Sequence, residues 1–138
     1  MMDAPVTPRP AAAATRTAAL ICEAPPIFQL LESELKSCGL RVRQIDGSDY
    51  DRALATLRDD PPDLLVVAVL SRSLRSQCLC QAVGQNGSFG KTRLVVIEDS
   101  ARAIDRRRAL AFGARAYLQL PLPRGALGRE IAQLLAGH

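Results

Sequence analysis

Seven apolar residues in a row, Leu64-Leu65-Val66-Val67-Ala68-Val69-Leu70, constrain this chain more than any other feature. They are entered through Pro62-Asp63 and left through Ser71-Arg72-Ser73. A run this short, uninterrupted and rich in β-branched Val fits a strand covered on both faces, although periodicity alone also admits a buried helical segment. Read as a strand, it predicts the centre of a parallel sheet with layers above and below. Similar runs lie on either side of it: Ala18-Ala19-Leu20-Ile21-Cys22 before, and Leu94-Val95-Val96-Ile97 and Ala116-Tyr117-Leu118-Gln119-Leu120 after. The spacing between runs leaves room for a helix each time.

Taken in order, residues 1–17 are rich in Pro, Ala and Thr and lack apolar periodicity. They predict a disordered leader, with the folded domain over residues 18–138. Glu23-Ala24-Pro25-Pro26 turns the chain into a first helix whose stripe is Ile27, Leu30, Leu31 and Leu35, ended by Gly39. The alternation Leu40-Arg41-Val42-Arg43-Gln44-Ile45 predicts an edge strand with one wetter face. Ser48 or Asp49 can cap the next helix, which carries Ala53, Leu54 and Leu57. After the central run, a helix is predicted around 74–83 and a loop over 84–92. Asp99 or Ser100 is predicted to cap a helix over 101–112, closed by Gly113, and the last helix, from Arg124 to about Ala136, shows Leu127, Ile131, Leu134 and Leu135 on one face. Five successive β-α units with right-handed crossovers predict an α/β fold, a doubly wound three-layer sandwich.

Composition removes several functions. No 18-residue apolar stretch and no signal-peptide core is present, so neither a membrane span nor secretion is expected, and the protein is read as cytoplasmic. Cys22, Cys38, Cys78 and Cys80 are too few and too irregular for a disulfide scaffold, and Cys22 and Cys38 read as buried small hydrophobes. Cys78-Leu79-Cys80 has no second pair and the single histidine is terminal, so no metal site is expected. Gly84, Gly87 and Gly90 before Lys91-Thr92 miss the phosphate-loop spacing and precede a strand, so they read as a loop. Charge is uneven: residues 1–70 hold seven basic and ten acidic side chains, residues 71–138 eleven and four. Such a basic half suits an acidic partner or a nucleotide. Nucleic acid is not expected, because no recognition helix, stacking aromatic pair or basic tail is present.

Three local features carry a resemblance: Pro62-Asp63-Leu64 opening the third strand, Gly113-Ala114-Arg115-Ala116-Tyr117-Leu118 at the fifth, and Pro121 directly after it. In these the chain resembles the response-regulator receiver domain over about residues 18–136, which implies the flavodoxin-like (CheY-like) five-stranded order 2-1-3-4-5. In that family an acidic pair after strand 1 binds Mg²⁺, an Asp at the end of strand 3 accepts a phosphoryl group, and a Thr or Ser after strand 4 and a Lys after strand 5 contact it. The acidic pair falls here on Cys22 and Glu23, and the acceptor on Ala68. The hydroxyl falls on Glu98, 30 residues on, and the lysine on Leu120, 22 further, the family's separations. Glu23 alone keeps its character.

Phosphoryl transfer of this type needs a carboxylate nucleophile and a cation to neutralise developing charge. Ala68 has no nucleophile, Leu120 no positive charge, and Glu98 would set a negative charge against phosphoryl oxygens. The resemblance therefore implies a degenerate receiver, a pseudo-receiver, with no catalysis and no cofactor. The family's aromatic switch position falls on Tyr117, read either as a fixed rotamer or as a packed core aromatic. Receivers dock partners through the helix after strand 4, strand 5 and the last helix, and here that face would carry Arg102, Arg106, Arg107 and Arg108, with Arg115, Arg124 and Arg129. The expected function is a phosphorylation-independent interaction module in bacterial signalling, binding another signalling protein or a second copy of itself. The alternative is a cyclic-dinucleotide (cyclic di-GMP) sensor, since Arg102-Ala103-Ile104-Asp105 matches Arg-x-x-Asp; local pairing of Asp105 with an arginine is the competing account of that pattern.

Overall fold

The computed structural model describes residues 16–22, 24–46, 49–69, 82–83, 92–99 and 102–137. Its elements are β1 (Thr17–Ile21), α1 (Pro25–Ser37), β2 (Arg41–Gln44), α2 (Tyr50–Asp59), β3 (Leu64–Val69), β4 (Arg93–Glu98), α3 (Ala103–Ala111), β5 (Ala116–Gln119) and α4 (Ala126–Gly137). One parallel sheet has the order β2-β1-β3-β4-β5. This is the predicted flavodoxin-like sandwich. Of the helix predicted around 74–83, only Ala82 and Val83 are described, and both are helical. The Cys78-Cys80 pair, the glycine loop, Glu23 and residues 1–15 lie outside the described residues.

The central run behaves as its composition requires. Leu64, Leu65, Val66 and Val67 are fully buried and Ala68 is 5% exposed. Strand alternation divides them: Leu64, Val66 and Ala68 join the core under α1 and α4, with Leu31, Leu35, Leu127 and Ile131. Leu65 and Val67 join the core under α2 and α3, with Ala53, Leu57 and Ala109. At the amino end of β3, Asp63 accepts a 2.8 Å hydrogen bond from the Thr17 N–H and so fixes the register of the two central strands. It sits at the opposite end of the strand from Ala68.

Helix boundaries follow local chemistry. Pro25 opens α1, where its missing N–H costs no helical bond, and Gly39 ends it at φ +84°, a left-handed conformation open to glycine. The predicted stripe is narrower than expected. Leu31 and Leu35 are buried, each worth about 1.5–3 kcal/mol, but Leu30 is 45% exposed. Of the two candidate caps for α2, Asp49 serves, its Oδ1 accepting from the Arg52 N–H at 3.1 Å. For α3 the expectation fails: the helix starts at Ala103 with Arg102 at the N-cap and no side-chain cap, so Asp99 does not cap it. Cys38 also departs from the sequence reading. Cys22 is buried, but Cys38 is exposed at the end of α1, its Sγ 3.9 Å from the Gly128 carbonyl oxygen, where desolvation and then Glu34 raise the pKa of its thiol.

Candidate functional site

The carboxyl ends of the strands carry the residues that align with a phosphoryl-transfer pocket. The structure brings three of them to one face. Cys22 and Ala68 belong to the core under α1 and α4, and Leu120 packs against it. The Cys22 thiol, 7% exposed, lies 3.6 Å from the Ala24 carbonyl oxygen. A hard Mg²⁺ ion takes oxygen ligands in octahedral array, so a methyl, a thiol and a leucine side chain do not fit it. Among the described residues no cluster of three or more His, Cys, Asp or Glu could hold a metal.

Glu98 stands apart from these three. It shares its strand face with Leu94 and Val96, and Tyr117 pairs in register with Val96. Glu98 and Tyr117 are thus diagonal neighbours on the face under α2 and α3, the opposite face from Ala68. The Tyr117 hydroxyl donates a 2.7 Å hydrogen bond to Glu98 Oε1. The carboxyl is 7% exposed. Burial raises the pKa of Glu98, the Tyr117 bond opposes that rise, and Asp105 reinforces it. Burial and the same bond push the Tyr117 hydroxyl well above the usual phenol range. The Tyr117 ring packs against the core under α2 and α3, and its hydroxyl bonds to the Glu98 carboxyl.

Asp105 extends this polar cluster into α3. It is 4% exposed and held on two sides, by Arg102 at 3.1 Å and Arg108 at 3.5 Å. The Arg102 contact is bidentate. The Arg-x-x-Asp pattern is thus occupied within the helix itself.

The arginines of the second half of the chain described here lie mostly on and after α3. Arg102, Arg106 and Arg107 are exposed at the start and in the middle of α3, Arg115 just before edge strand β5, and Arg124 in the turn before α4. Sequence patterning did not signal the state of α3. It buries Asp105 and Ala109, while Ile104 is 50% exposed and Leu110 41% exposed. On the far side of the sheet a cleft of about 790 Å³ opens beside β1 and β2, bordered by Cys22, Phe28, Glu32 and Asp46. It was equally invisible in the sequence, because its walls come from separate elements.

No family model and no curated protein matches the chain. Solved structures do. The chain superposes on a putative response regulator from Chloroflexus aurantiacus J-10-fl with a TM-score of 0.76 at 21% identity, covering 88% of this chain and 98% of that one. For the chemotaxis response regulator CheY4 of Vibrio cholerae the TM-score is 0.73 at 17% identity, covering 87% and 98%. For the receiver domain of the sensor histidine kinase PA1611 from Pseudomonas aeruginosa PAO1, whose structure has magnesium in the active-site cleft, it is 0.72 at 20% identity, covering 90% and 99%. The fold is that of CheY-like receiver domains. Among the described residues no helix is long and apolar enough to cross a membrane.

Proposed function

We propose that this chain is a non-catalytic pseudo-receiver: a protein-interaction module of two-component or related bacterial signalling that works without phosphorylation. The observation that carries the reading is the apolar packing of Cys22, Ala68 and Leu120 on a receiver fold. A phosphoryl acceptor needs an exposed carboxylate beside a divalent cation, and at the acceptor position this chain has a buried methyl in one apolar cluster with Cys22 and Leu120. The Glu98–Tyr117 bond supports the same reading. In a responsive receiver the strand-5 aromatic is free to move, whereas here a buried acid holds its hydroxyl. The module would then present one standing conformation of α3, β5 and α4 to its partner.

The test is capture from native lysate on the whole protein, with and without acetyl phosphate and Mg²⁺, comparing wild type with Arg106→Glu/Arg107→Glu. The reading expects a protein partner retained equally in both conditions and lost in the double variant. A partner retained only after phosphoryl donor, or a gain in intact mass equal to one phosphoryl group, overturns it.

A further inference from the structure

We infer that the α3 face binds an acidic polypeptide segment carrying aliphatic side chains, in preference to a second copy of this chain. This deepens the interaction reading above and rests on it. Helix α3 turns two large aliphatic side chains outward and an aspartate inward. At about 100° per residue, buried Asp105 and Ala109 mark the inward direction, and the opposite arc holds Ala103, Ile104, Arg107, Leu110 and Ala111. All five are exposed. A helix of a closed domain puts its aliphatic residues inward; this one turns Ile104 and Leu110 to solvent and folds its aspartate under them. Such a departure from the ordinary pattern marks a surface that another molecule covers.

Charge says which molecule. Arg107 stands in the middle of the aliphatic arc, and Arg106 flanks it. Among the described residues neither is in a salt bridge. Asp105, the acidic side chain of α3, is buried and taken up by Arg102 and Arg108. Exposed Arg115 and Arg124 extend the basic field onto the neighbouring elements, where, among the described residues, Asp99 and the half-buried Glu130 are the acids that reach solvent. A two-fold contact through this arc would bring the basic patch around Arg106 and Arg107 against the same basic patch of the other copy, because a two-fold interface pairs a patch with itself. Like charges facing across an interface are costly, and opposite ones both attract and steer the partner. An acidic segment with two aliphatic anchors satisfies Ile104, Leu110 and the arginines together.

The experiment titrates the whole protein into three labelled peptides of equal length: a helical Glu/Leu repeat, a Lys/Leu repeat with the same aliphatic content, and polyglutamate. Fluorescence anisotropy reads binding, and light scattering after size exclusion reads self-association. The Glu/Leu peptide is expected to bind, with affinity falling about tenfold in Arg107→Glu and separately in Ile104→Ser/Leu110→Ser. These sites are exposed, so both variants should keep the wild-type melting temperature. Arg107→Gln, which removes the charge without reversing it, should fall between wild type and Arg107→Glu. Equal binding of polyglutamate or of the Lys/Leu peptide, no binding of any peptide, or a wild-type dimer that Ile104→Ser/Leu110→Ser dissociates would each overturn the inference. Repeating the titration with beryllofluoride and Mg²⁺ separates the two readings. A changed affinity there counts against phosphorylation independence, whereas the wrong peptide class counts against this inference alone.

Discussion

Replacing Tyr117 by Phe removes one oxygen atom and isolates its hydrogen bond to Glu98. The hydroxyl donates at 2.7 Å to a carboxyl that is 7% exposed. Hydrogen bonds to charged groups are worth about 1.5–3 kcal/mol, and a buried acceptor left without its donor loses that amount. Tyr117→Phe should therefore destabilise the protein by about 2 kcal/mol at neutral pH. Glu98→Gln should act in the opposite sense. The pKa of Glu98 is raised on folding, so its contribution to stability is complete below the unfolded carboxyl pKa of about 4.3 and is lost as pH rises through the higher folded value. A glutamine has no charge to bury, and the variant should match or exceed wild type at pH about 7–8, with the difference shrinking towards pH about 4. Urea unfolding of both single variants and the double variant, at each pH, gives the coupling between the two side chains. A coupling of about 1–2 kcal/mol is expected. A coupling under about 0.5 kcal/mol, or a Glu98→Gln effect that does not vary with pH, would mean that Tyr117 does not support a buried, titrating Glu98.

Other substitutions test the supporting structure. Asp105→Ala removes a 4%-exposed carboxylate whose two arginine partners are themselves 50% and 40% exposed. Those arginines can return to water, so thermal unfolding should show a loss of about 1–2 kcal/mol, less than the 3–5 of a fully buried pair. Gly128→Ala in α4 should stabilise by about 0.5–1 kcal/mol in urea unfolding, since its new methyl meets Cys38 Sγ at an ordinary 3.5 Å. Asp49→Ala deletes the cap of α2, and calorimetry should register a cost of about 1 kcal/mol.

The layout of the fold was legible because parallel strands advertise themselves. Buried on both faces, they cannot alternate with polar residues, so Leu64–Val69 and Leu94–Ile97 stand out as runs, and Gly39 and Gly113 mark helix ends by the positive φ they adopt. The start of α3 was misplaced because Asp99 and Ser100 look like caps, whereas the helix begins after Arg102 without one. Propensity identifies residues able to cap, not the turn that the tertiary fold selects. In the site, the sequence could say which groups Ala68 and Leu120 lack. It could not show that Glu98 turns to Tyr117 across two strands, nor that Asp105 goes inward while Ile104 and Leu110 go outward. Those facts depend on packing between elements far apart in the chain.

The claim that this site cannot take a phosphoryl group is tested most directly by amide NMR on the labelled protein. Spectra would be recorded before and after addition of beryllofluoride and Mg²⁺, which together stand in for the phosphoryl group and its metal. With Ala68 buried among apolar side chains, the spectra should not change. Saturable shifts at Cys22, Ala68, Glu98 and Leu120, spreading to Tyr117 and α3, would contradict it.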